Sequence, residues 1–426
     1  MKMPERHHLG SLVVIGQGYV GLPLALAASE AGFSVVGLDL KREVLQGLNA
    51  GRSHVDDVSD ADIHRLLGQG YRASDQPSVI KEADVVVICV PTPLSPDGGP
   101  DLTAVRGASA MIAEHLQAGS LVLLESTTYP GTTEDVVLPI IEQGGLRQGA
   151  DFSLAFSPER VDPGNPVYGI KNTPKLVGGV DAEASRRAVA FYGAFVEDVV
   201  VLKGAREAEM AKLLENTYRH VNIALVNEMA KFCHDMSVDI WEVIRGAATK
   251  PFGYQAFSPG PGVGGHCIPI DPNYLSHEVR KQLGYPFRFV ELAQEINSSM
   301  PRYVAQRVTG MLNTRRKSLK GSRVLLLGVT YKPDIADQRE SPADKLAGEL
   351  QSHGALVSYH DPYVLHWHVP GVERVSAQDF GGALASADIA VLLQNHGSFD
   401  LQFVASHAQA VLDCRGVLHG NNVERL

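Results

Sequence analysis

Short runs of consecutive apolar residues recur toward both ends of the chain, and each run stops at glycine, proline or a polar residue. They occupy residues 12–15, 34–38, 85–90, 121–124, 154–156, 323–327, 355–359, 389–393 and 410–412. A run that is apolar at nearly every position is typical of a parallel strand that is buried on both faces of its sheet. The pattern therefore predicts two groups of parallel strands, separated by a central stretch with a different period.

The first run leads into the hexapeptide Gly16-Gln17-Gly18-Tyr19-Val20-Gly21, which a helical pattern follows at residues 22–31. The next strand, 34–38, ends at Asp39. Glycines between a strand and a helix let a pyrophosphate approach the backbone and the helix N-terminus. An acid after the second strand accepts hydrogen bonds from the ribose hydroxyls. These features predict an NAD site, in which Asp39 disfavours the 2′-phosphate of NADP.

The later strands of the first group end in turns that begin at Pro91, Glu125 and Ser157. Ligands of a doubly wound sheet bind beyond the carboxyl ends of its strands, so these turns are candidate site segments. For Pro91, ordinary turn chemistry is a sufficient alternative.

In the central stretch, apolar residues recur with a helical period from residue 206 to residue 234. A helix of this length is expected to span domains and to pair with a copy of itself. Further helices are predicted at residues 240–248 and 287–312.

Two polar residues of the long helix, Lys212 and Asn216, are one turn apart and share a face. Because Glu209 and Glu215 accompany them, a solvated polar face is the simpler interpretation. The functional interpretation is a cation and an amide directed at a substrate or a developing oxyanion.

The segment 259–272 is too rich in glycine and proline to be the interior of a helix or strand, and it carries Cys267 and Asp271. A thiolate is a nucleophile, so the segment is a candidate catalytic loop. Pro272 favours an extended backbone at Asp271. His266 is expected to be structural, since consecutive residues of an extended loop often point apart.

The second strand group follows a basic stretch at residues 315–320 and lacks the glycine hexapeptide, so it should bind something other than a dinucleotide. Its first strand ends in a charged segment that contains Lys332 and Arg339. These cations form a candidate phosphate site, with exposed surface charge as the alternative.

Composition sets further bounds. The chain has 426 residues, 44% hydrophobic and 20% charged, as expected for a soluble protein of two or three domains. We expect no membrane span, no secretory signal and a cytoplasmic location. A net charge of -10 argues against nucleic acid or an anionic membrane as the main partner. The remaining cysteines, Cys89, Cys233 and Cys414, fit buried hydrophobic positions, and the scattered spacing predicts neither a disulfide nor a metal site.

Taken together, these residues resemble the UDP-glucose/GDP-mannose dehydrogenase family over essentially the whole chain. The matching blocks are GQGYVGLPLA, VPTP, ESTTYPGTT, SPERVDPGN, AKLLENTYRHVNIALVNE, PGPGVGGHCIPIDP and LLGVTYKPDIADQRESP. The resemblance implies a four-electron oxidation of a sugar C6 hydroxyl to a carboxylate by two NAD⁺, through a cysteine thiohemiacetal and thioester.

The resemblance also implies roles for individual residues. Cys267 is the nucleophile, Lys212 and Asn216 stabilise the oxyanions, Asp271 with Thr127 positions or activates water, and Glu159 takes the family's acidic position. The implied cofactor contacts are Gly16, Gly18, Tyr19, Val20, Gly21, Asp39, Pro91, Thr92, Thr127 and Arg339. The implied UDP-sugar contacts are Glu159, Arg160, Lys212, Asn216, Ser258, Gly264, Tyr331 and Lys332.

Two positions depart from the UDP-glucose branch of the family. Ile270 replaces the lysine before the catalytic aspartate, and Pro163, with Asp162 beside it, replaces a second acid. Both departures agree with the N-acetylhexosamine branch. Within it, the SPERVDPGN and KPFGYQAF blocks are similar to those of the enzymes that oxidise UDP-N-acetylglucosamine. UDP-N-acetylmannosamine and UDP-glucose are the alternative substrates, because the residues that sense C2 are not encoded in these motifs.

The predicted architecture is α/β, with two Rossmann-like doubly wound parallel-sheet domains joined by a central helical segment. We expect an NAD-binding domain at 1–204, a dimerising helical segment with the cysteine loop at 205–312, and a UDP-sugar domain at 313–426. A homodimer is expected. Two alternatives are a catalytically silent NAD and nucleotide-sugar binding protein, and a two-electron 3-hydroxyacid dehydrogenase. The latter needs neither the loop thiol nor the second α/β domain.

Overall fold

The computed structural model describes residues 9–95, 98–162, 165, 167–265 and 268–426. They form two compact units, one up to Glu215 and the other from Asn216 to Leu426. The predicted nucleophile Cys267, its neighbour His266 and the branch position Pro163 lie outside the described residues.

The first unit contains one eight-stranded sheet. Its strands are β1 Ser11–Ile15, β2 Ser34–Leu38, β3 Arg72–Ser74, β4 Val85–Ile88, β5 Leu121–Leu124, β6 Ser153–Phe156, β7 Lys175–Gly179 and β8 Val199–Val201. Their order is β3-β2-β1-β4-β5-β6-β7-β8, and only β6 and β7 pair antiparallel. The order of the first six is that of the doubly wound dinucleotide-binding fold.

Helices cover both faces of this sheet. They are α1 Gly21–Ala31, α2 Arg42–Asn49, α3 Asp60–Gly68, α4 Thr103–His115, α5 Leu138–Glu142 and α6 Ala182–Tyr192, with a 3-10 turn at Pro77–Glu82 and a π-helical turn at Thr133–Val137. Alternate residues of β1 enter different cores: Leu12 and Val14 lie in one, and Val13 and Ile15 in the other. Burial on both faces explains why the strand sequences are apolar at nearly every position.

The boundary between the two units falls within helix α7, Ala205–Asp235. The second unit continues with α8 Ile240–Ala247, α9 Asp271–Leu283 and α10 Arg288–Thr314. None of the described helices is long and apolar enough to cross a membrane.

The second unit also contains a six-stranded parallel sheet. Its elements are β9 Arg323–Leu327, α11 Pro342–Ser352, β10 Leu356–His360, β11 Glu373–Arg374, α12 Phe380–Ser386, β12 Ile389–Leu392, α13 Leu401–His407, β13 Val411–Asp413 and β14 Val423–Arg425. The order β11-β10-β9-β12-β13-β14 repeats that of the first six strands in the first unit. The predicted fold class is therefore confirmed.

The turn after the first strand is built alike in the two sheets. Gly16 follows β1 with φ 94° and Gly328 follows β9 with φ 75°. A β-carbon at Gly16 would lie 2.5 Å from the carbonyl oxygen of Cys89, and one at Gly328 would lie 2.7 Å from Gln394. Because both backbones pass so close to the neighbouring strand's end, only glycine fits either turn.

In each sheet, the aspartate that follows the second strand accepts a hydrogen bond from the glycine turn. Asp39 Oδ2 accepts from the backbone N–H of Gln17 at 2.9 Å, and Asp361 Oδ2 accepts from that of Val329 at 2.7 Å. Asp39 is half-buried, whereas Asp361 is fully buried and 3.1 Å from His396. Asp361 therefore has no surface for a ribose, which agrees with a second unit that binds something other than a dinucleotide.

Candidate active site

The residues around the first glycine turn form the candidate cofactor site. Helix α1 starts at Gly21 without a side-chain cap and without an acid in its first turn, so its backbone N–H groups can meet a phosphate. Asp39 lies at the edge of the same turn and is half-exposed. The buried side chain of Gln17 stabilises the turn: its amide donates to the carbonyl of Val14 at 2.8 Å, and its oxygen accepts from the Tyr71 hydroxyl at 2.8 Å. These residues fit an NAD molecule.

The turns after β4 and β5 meet at the carboxyl edge of the sheet, as expected for neighbouring parallel strands. Thr92 Oγ1 donates to the backbone carbonyl of Thr127 at 2.8 Å, and Ser126 Oγ donates to that of Val90 at 2.8 Å. Two predicted site residues, Thr92 and Thr127, are therefore joined directly.

The turn after β6 contacts helix α7. The Lys212 ammonium donates to the backbone carbonyl of Glu159 at 2.6 Å, while the Glu159 Oε1 accepts from the N–H of Val161 at 2.5 Å. Arg160 forms an ion pair with Glu215 at 2.7 Å. Lys212 is only 8% exposed, so its charge lies in a largely water-free environment. An ammonium has three N–H donors, so Lys212 can donate to a substrate oxygen as well as to the Glu159 carbonyl.

A buried polar group that the sequence analysis missed lies behind Glu159. Lys175, the first residue of β7, lies 3.0 Å from Glu125 and 3.6 Å from Glu159, and Tyr192 donates to Glu125 at 2.5 Å. Burial raises the pKa of Glu125. Burial opposes the charge of Lys175, but the two carboxylates together raise the pKa of that amine. The available signal was a lysine opening an otherwise apolar strand.

Glu209, also in α7, is fully buried and bonds to the start of the π-helical turn Thr133–Val137. Its carboxylate accepts from the backbone N–H groups of Gly131 at 2.6 Å and Thr133 at 2.8 Å, and from the Thr133 hydroxyl at 2.7 Å. Burial raises the pKa of Glu209 to about 7, although these hydrogen bonds act in the opposite direction. The segment that carries Thr127 is thereby attached to the helix that carries Lys212.

In the second unit, Asn216 and Asp271 meet directly. The Asn216 side-chain amide donates to Asp271 Oδ2 at 2.5 Å, and both residues are buried. The expectation of an extended backbone at Asp271 is wrong, because Asp271 is the first residue of α9 and Pro272 the second. Proline is tolerated there since N–H groups of the first turn have no partner within the helix.

The interpretation of Lys212 and Asn216 as part of a solvated polar face is also wrong. Both residues are 8% exposed and Glu209 is fully buried, while apolar Leu214 and Tyr218 of the same helix are exposed. The buried side of α7 carries these polar residues together with apolar ones such as Leu213 and Ala224. The helical period therefore did not show that polar residues would be buried.

The glycine-rich loop is held at several points. Asn227 Oδ1 accepts from the backbone N–H of Gly260 at 2.9 Å, and the Asn227 amide donates to Asn297 of α10 at 2.9 Å. Farther along, the N–H of Gly265 donates to the Arg339 carbonyl at 3.0 Å. A β-carbon at Gly264 would lie 2.6 Å from Tyr331, so glycine is required there.

The other predicted ligand residues differ in their surroundings. Tyr331 and Lys332 are half-buried beside this loop, and Ser258 is exposed. The Arg339 guanidinium forms a bidentate ion pair with Asp337, with distances of 2.6 and 3.0 Å. A cofactor that used Arg339 would therefore share it with a carboxylate. Pro91 is exposed at its turn.

Models of one family match the chain in three consecutive segments. The NAD-binding domain of the UDP-glucose/GDP-mannose dehydrogenase family matches residues 11–196, its central domain 206–299 and its UDP-binding domain 325–420.

Individual proteins are similar over nearly the full length. A UDP-N-acetyl-D-mannosamine dehydrogenase of Pyrococcus horikoshii is 36% identical over 390 residues, covering 91% of this chain and 90% of that protein. A solved structure of a UDP-D-ManNAc dehydrogenase from this organism has a TM-score of 0.88 at 33% identity, covering 97% and 98% of the two chains. A UDP-glucose dehydrogenase structure from Pyrobaculum islandicum has a TM-score of 0.87 at 27% identity, covering 100% and 98%.

The raised pKa of Glu209 predicts a pH-dependent contribution to stability. Below its ordinary value of 4.5 the carboxyl is protonated in both folded and unfolded chains. Between 4.5 and about 7 the folded chain binds more protons, so stability falls as pH rises. The loss amounts to about 3 kcal/mol above pH 7. Glu209→Gln, which does not titrate, should lack this loss in urea unfolding measured from pH 4.5 to 8.

Glu207→Gln, an exposed acid of the same helix, is the matched control and should keep the wild-type pH dependence. A wild-type stability that rises over this interval, with the rise absent in Glu209→Gln, would show that the donors from Gly131 and Thr133 outweigh burial.

Proposed function

This chain belongs to the UDP-glucose/GDP-mannose dehydrogenase family, and on that premise we propose that it oxidises UDP-N-acetyl-D-mannosamine at C6 to the uronic acid. The family is NAD-dependent and acts on nucleotide sugars, which accounts for one unit with a dinucleotide turn and a second α/β unit without one. The observation that carries the proposal is the buried polar face of α7, where Lys212 and Asn216 lie one turn apart.

The choice of sugar corrects our expectation of UDP-N-acetylglucosamine. Several relatives that match at 33–36% identity are named for UDP-N-acetyl-D-mannosamine, although one at 34% is named an NDP-N-acetyl-D-galactosaminuronic acid dehydrogenase. The former favour UDP-N-acetylmannosamine over UDP-N-acetylglucosamine. The two sugars are epimers at C2. Ile270 and the SPERVDPGN block favour an N-acetylhexosamine over glucose, but neither bears on the configuration at C2. Fold similarity does not discriminate either, since the UDP-glucose enzyme has nearly the same TM-score as the mannosamine enzyme.

The roles proposed for the residues follow from their chemistry. Bound NAD⁺ supplies the hydride acceptor for each of the two oxidations. The Cys267 thiolate adds to the C6 aldehyde and retains the sugar as a thiohemiacetal, which becomes a thioester at the second oxidation. Lys212 donates to the C6 oxygen while it carries negative charge, and low exposure strengthens this interaction.

Release of the product requires water and a base. Asp271 is proposed to accept the proton of the water that hydrolyses the thioester, and the Asn216 amide, 2.5 Å away, fixes the carboxylate. Thr127 and Glu159 are proposed to complete the site from the turns after β5 and β6. A buried amide on a buried carboxylate is well suited to such a role, because neither group can turn toward solvent.

A substrate panel tests the proposal. Purified protein with NAD⁺ should form NADH fastest with UDP-N-acetylmannosamine, compared at equal concentration with UDP-N-acetylglucosamine, UDP-glucose and GDP-mannose. UDP-N-acetylmannosamine and UDP-N-acetylglucosamine differ only in the configuration at C2, so a preference between them must come from contacts with that carbon or its substituent. A clearly faster rate with another sugar would refute the substrate, and no NADH with any sugar would refute the function.

The panel also separates an enzyme from a silent binding protein. Cys267→Ser should bind NAD⁺ and UDP-sugar normally but lose turnover, because the serine hydroxyl is a far weaker nucleophile at neutral pH. Cys233→Ala, in α7, is the control and should retain turnover.

We also propose that the chain forms a homodimer through the exposed apolar face of α7. Tyr218, Leu225 and Phe232 are spaced seven residues apart and lie on one side of the helix. Each is close to half exposed. A stripe of large apolar side chains at this spacing is typical of a helix that packs against another helix.

If α7 forms the dimer interface, a glutamate introduced on its exposed apolar face should disrupt the dimer, whereas one introduced elsewhere should not. Leu225→Glu should convert a dimer into a monomer in size-exclusion chromatography with light scattering, because a carboxylate would be buried at the interface. Leu283→Glu is the matched control, since Leu283 and Leu225 are both 55% exposed. A monomeric wild type, or an equal effect of both substitutions, would contradict the dimer.

A further inference from the structure

A buried cluster of charged and polar side chains, formed by Lys175, Glu125 and Tyr192, lies behind Glu159 in the first unit. Lys175 is 4% exposed, Glu125 is 1% exposed and Tyr192 is fully buried. They come from separate elements: the start of β7, the turn after β5 and the end of α6. The roles proposed above use none of the three.

One ammonium in this cluster faces two carboxylates. Lys175 Nζ lies 3.0 Å from Glu125 Oε2 and 3.6 Å from Glu159 Oε2. The Tyr192 hydroxyl donates to the other oxygen of Glu125 at 2.5 Å, and its ring lies 5.1 Å from the same ammonium. Lys175 and Glu125 are sealed from solvent, whereas the Glu159 side chain is 15% exposed. Among these four residues, Glu159 is therefore the one whose side chain is accessible to a ligand.

Stability does not account for this arrangement. Removing an ammonium and a carboxylate from water costs several kcal/mol per ion, and their attraction roughly balances that cost. Apolar residues of similar volume would often serve the fold equally well. The feature that apolar residues would not reproduce is the second contact of Lys175, with Glu159.

Both oxygens of the Glu159 carboxylate are engaged within this unit. Oε1 accepts from the backbone N–H of Val161 at 2.5 Å, and Oε2 faces Lys175. The backbone carbonyl of the same residue accepts from Lys212 at 2.6 Å. The orientation of Glu159 therefore determines where its carboxylate points and where one hydrogen bond of Lys212 ends.

We infer that Lys175 is a positioning residue, which holds the Glu159 carboxylate and, through the Glu159 backbone, the Lys212 ammonium in the geometry needed for the oxidation. The inference rests on the proposed function, in which Glu159 and Lys212 belong to the site. The ammonium of Lys175 is held by Glu125, and Glu125 is held in turn by the hydroxyl of Tyr192.

The test removes the ammonium without leaving a buried charge. The variant Glu125→Gln/Lys175→Met takes away both partners of the ion pair while conserving their shapes. We expect kcat with the UDP-sugar to fall at least about tenfold, since a small misplacement of catalytic groups has effects of this order. The KM for NAD⁺ should stay within about twofold, because the glycine turn is untouched.

Two further variants separate positioning from a structural role. Lys175→Arg retains a cation that can reach both carboxylates and should recover most of the wild-type kcat. Lys171→Met is the matched control, because Lys171 lies in the same segment but is exposed and paired with Glu30 at 2.9 Å. It should leave kcat and KM unchanged.

Several outcomes would overturn the inference. One is a paired variant with the wild-type kcat and urea midpoint. Another is a KM for NAD⁺ that rises in proportion to the fall in kcat. A paired variant that no longer unfolds cooperatively would make the ion pair a requirement for folding, which also overturns positioning.

A wild-type protein that forms no NADH with any sugar would instead refute the proposed function. The contact itself is then tested by a double-mutant cycle of Lys175→Met and Glu159→Gln in the Glu125→Gln background, with the urea midpoint of unfolding measured for each variant. Non-additive midpoints are expected if Lys175 holds Glu159, and additive midpoints would overturn the inference.

Discussion

Helix α7 buries polar side chains beside apolar ones such as Leu213 and Val226, and the segments that bond to those polar side chains depend on this burial for their positions. Its buried residues include Glu209, Lys212, Asn216, His220 and Asn227. Burial of a polar group without a hydrogen bond costs a few kcal/mol, so each of these residues requires a partner. In each unit, the segments that supply such partners therefore lie against the helix.

The partners are the segments that carry the proposed chemistry. In the first unit, Glu209 holds the N–H groups of Gly131 and Thr133, and Lys212 holds the carbonyl of Glu159. In the second unit, Asn216 holds Asp271. Asn227 accepts from the N–H of Gly260, and its amide donates to Asn297, which in turn donates to the backbone carbonyl of His220. Burial lowers the pKa of His220 to about 4, so its imidazole is neutral at pH 7. The loops are rich in glycine and proline, but hydrogen bonds to buried side chains of α7 fix them at these points.

Much of the fold could be predicted because its signals are local. Apolar runs bounded by turns located nine of the described strands to within two residues but missed the other five, which are β3, β7, β8, β11 and β14. The glycine hexapeptide with Asp39 identified the dinucleotide turn. The burial of Glu209, Lys212 and Asn216 in α7 could not be predicted, because a helical period does not show which polar residues have a buried partner. The contact of Lys175 with Glu125 depends on the placement of β5 and β7 on either side of β6, which the local sequence does not show. The helical start at Asp271 runs against the preference set by Pro272.

The central claim is that these anchored residues serve oxidation through a sulfur adduct, and intact-protein mass spectrometry tests it most directly. Asp271→Asn keeps an acceptor for the Asn216 amide but lacks the base proposed for thioester hydrolysis. With NAD⁺ and UDP-N-acetylmannosamine, it should accumulate a protein whose mass increases by the uronyl nucleotide, with about two NADH formed per adduct. The adduct should be absent from Asp271→Asn/Cys267→Ser. An unmodified Asp271→Asn protein, together with full turnover by Cys267→Ser, would contradict the account.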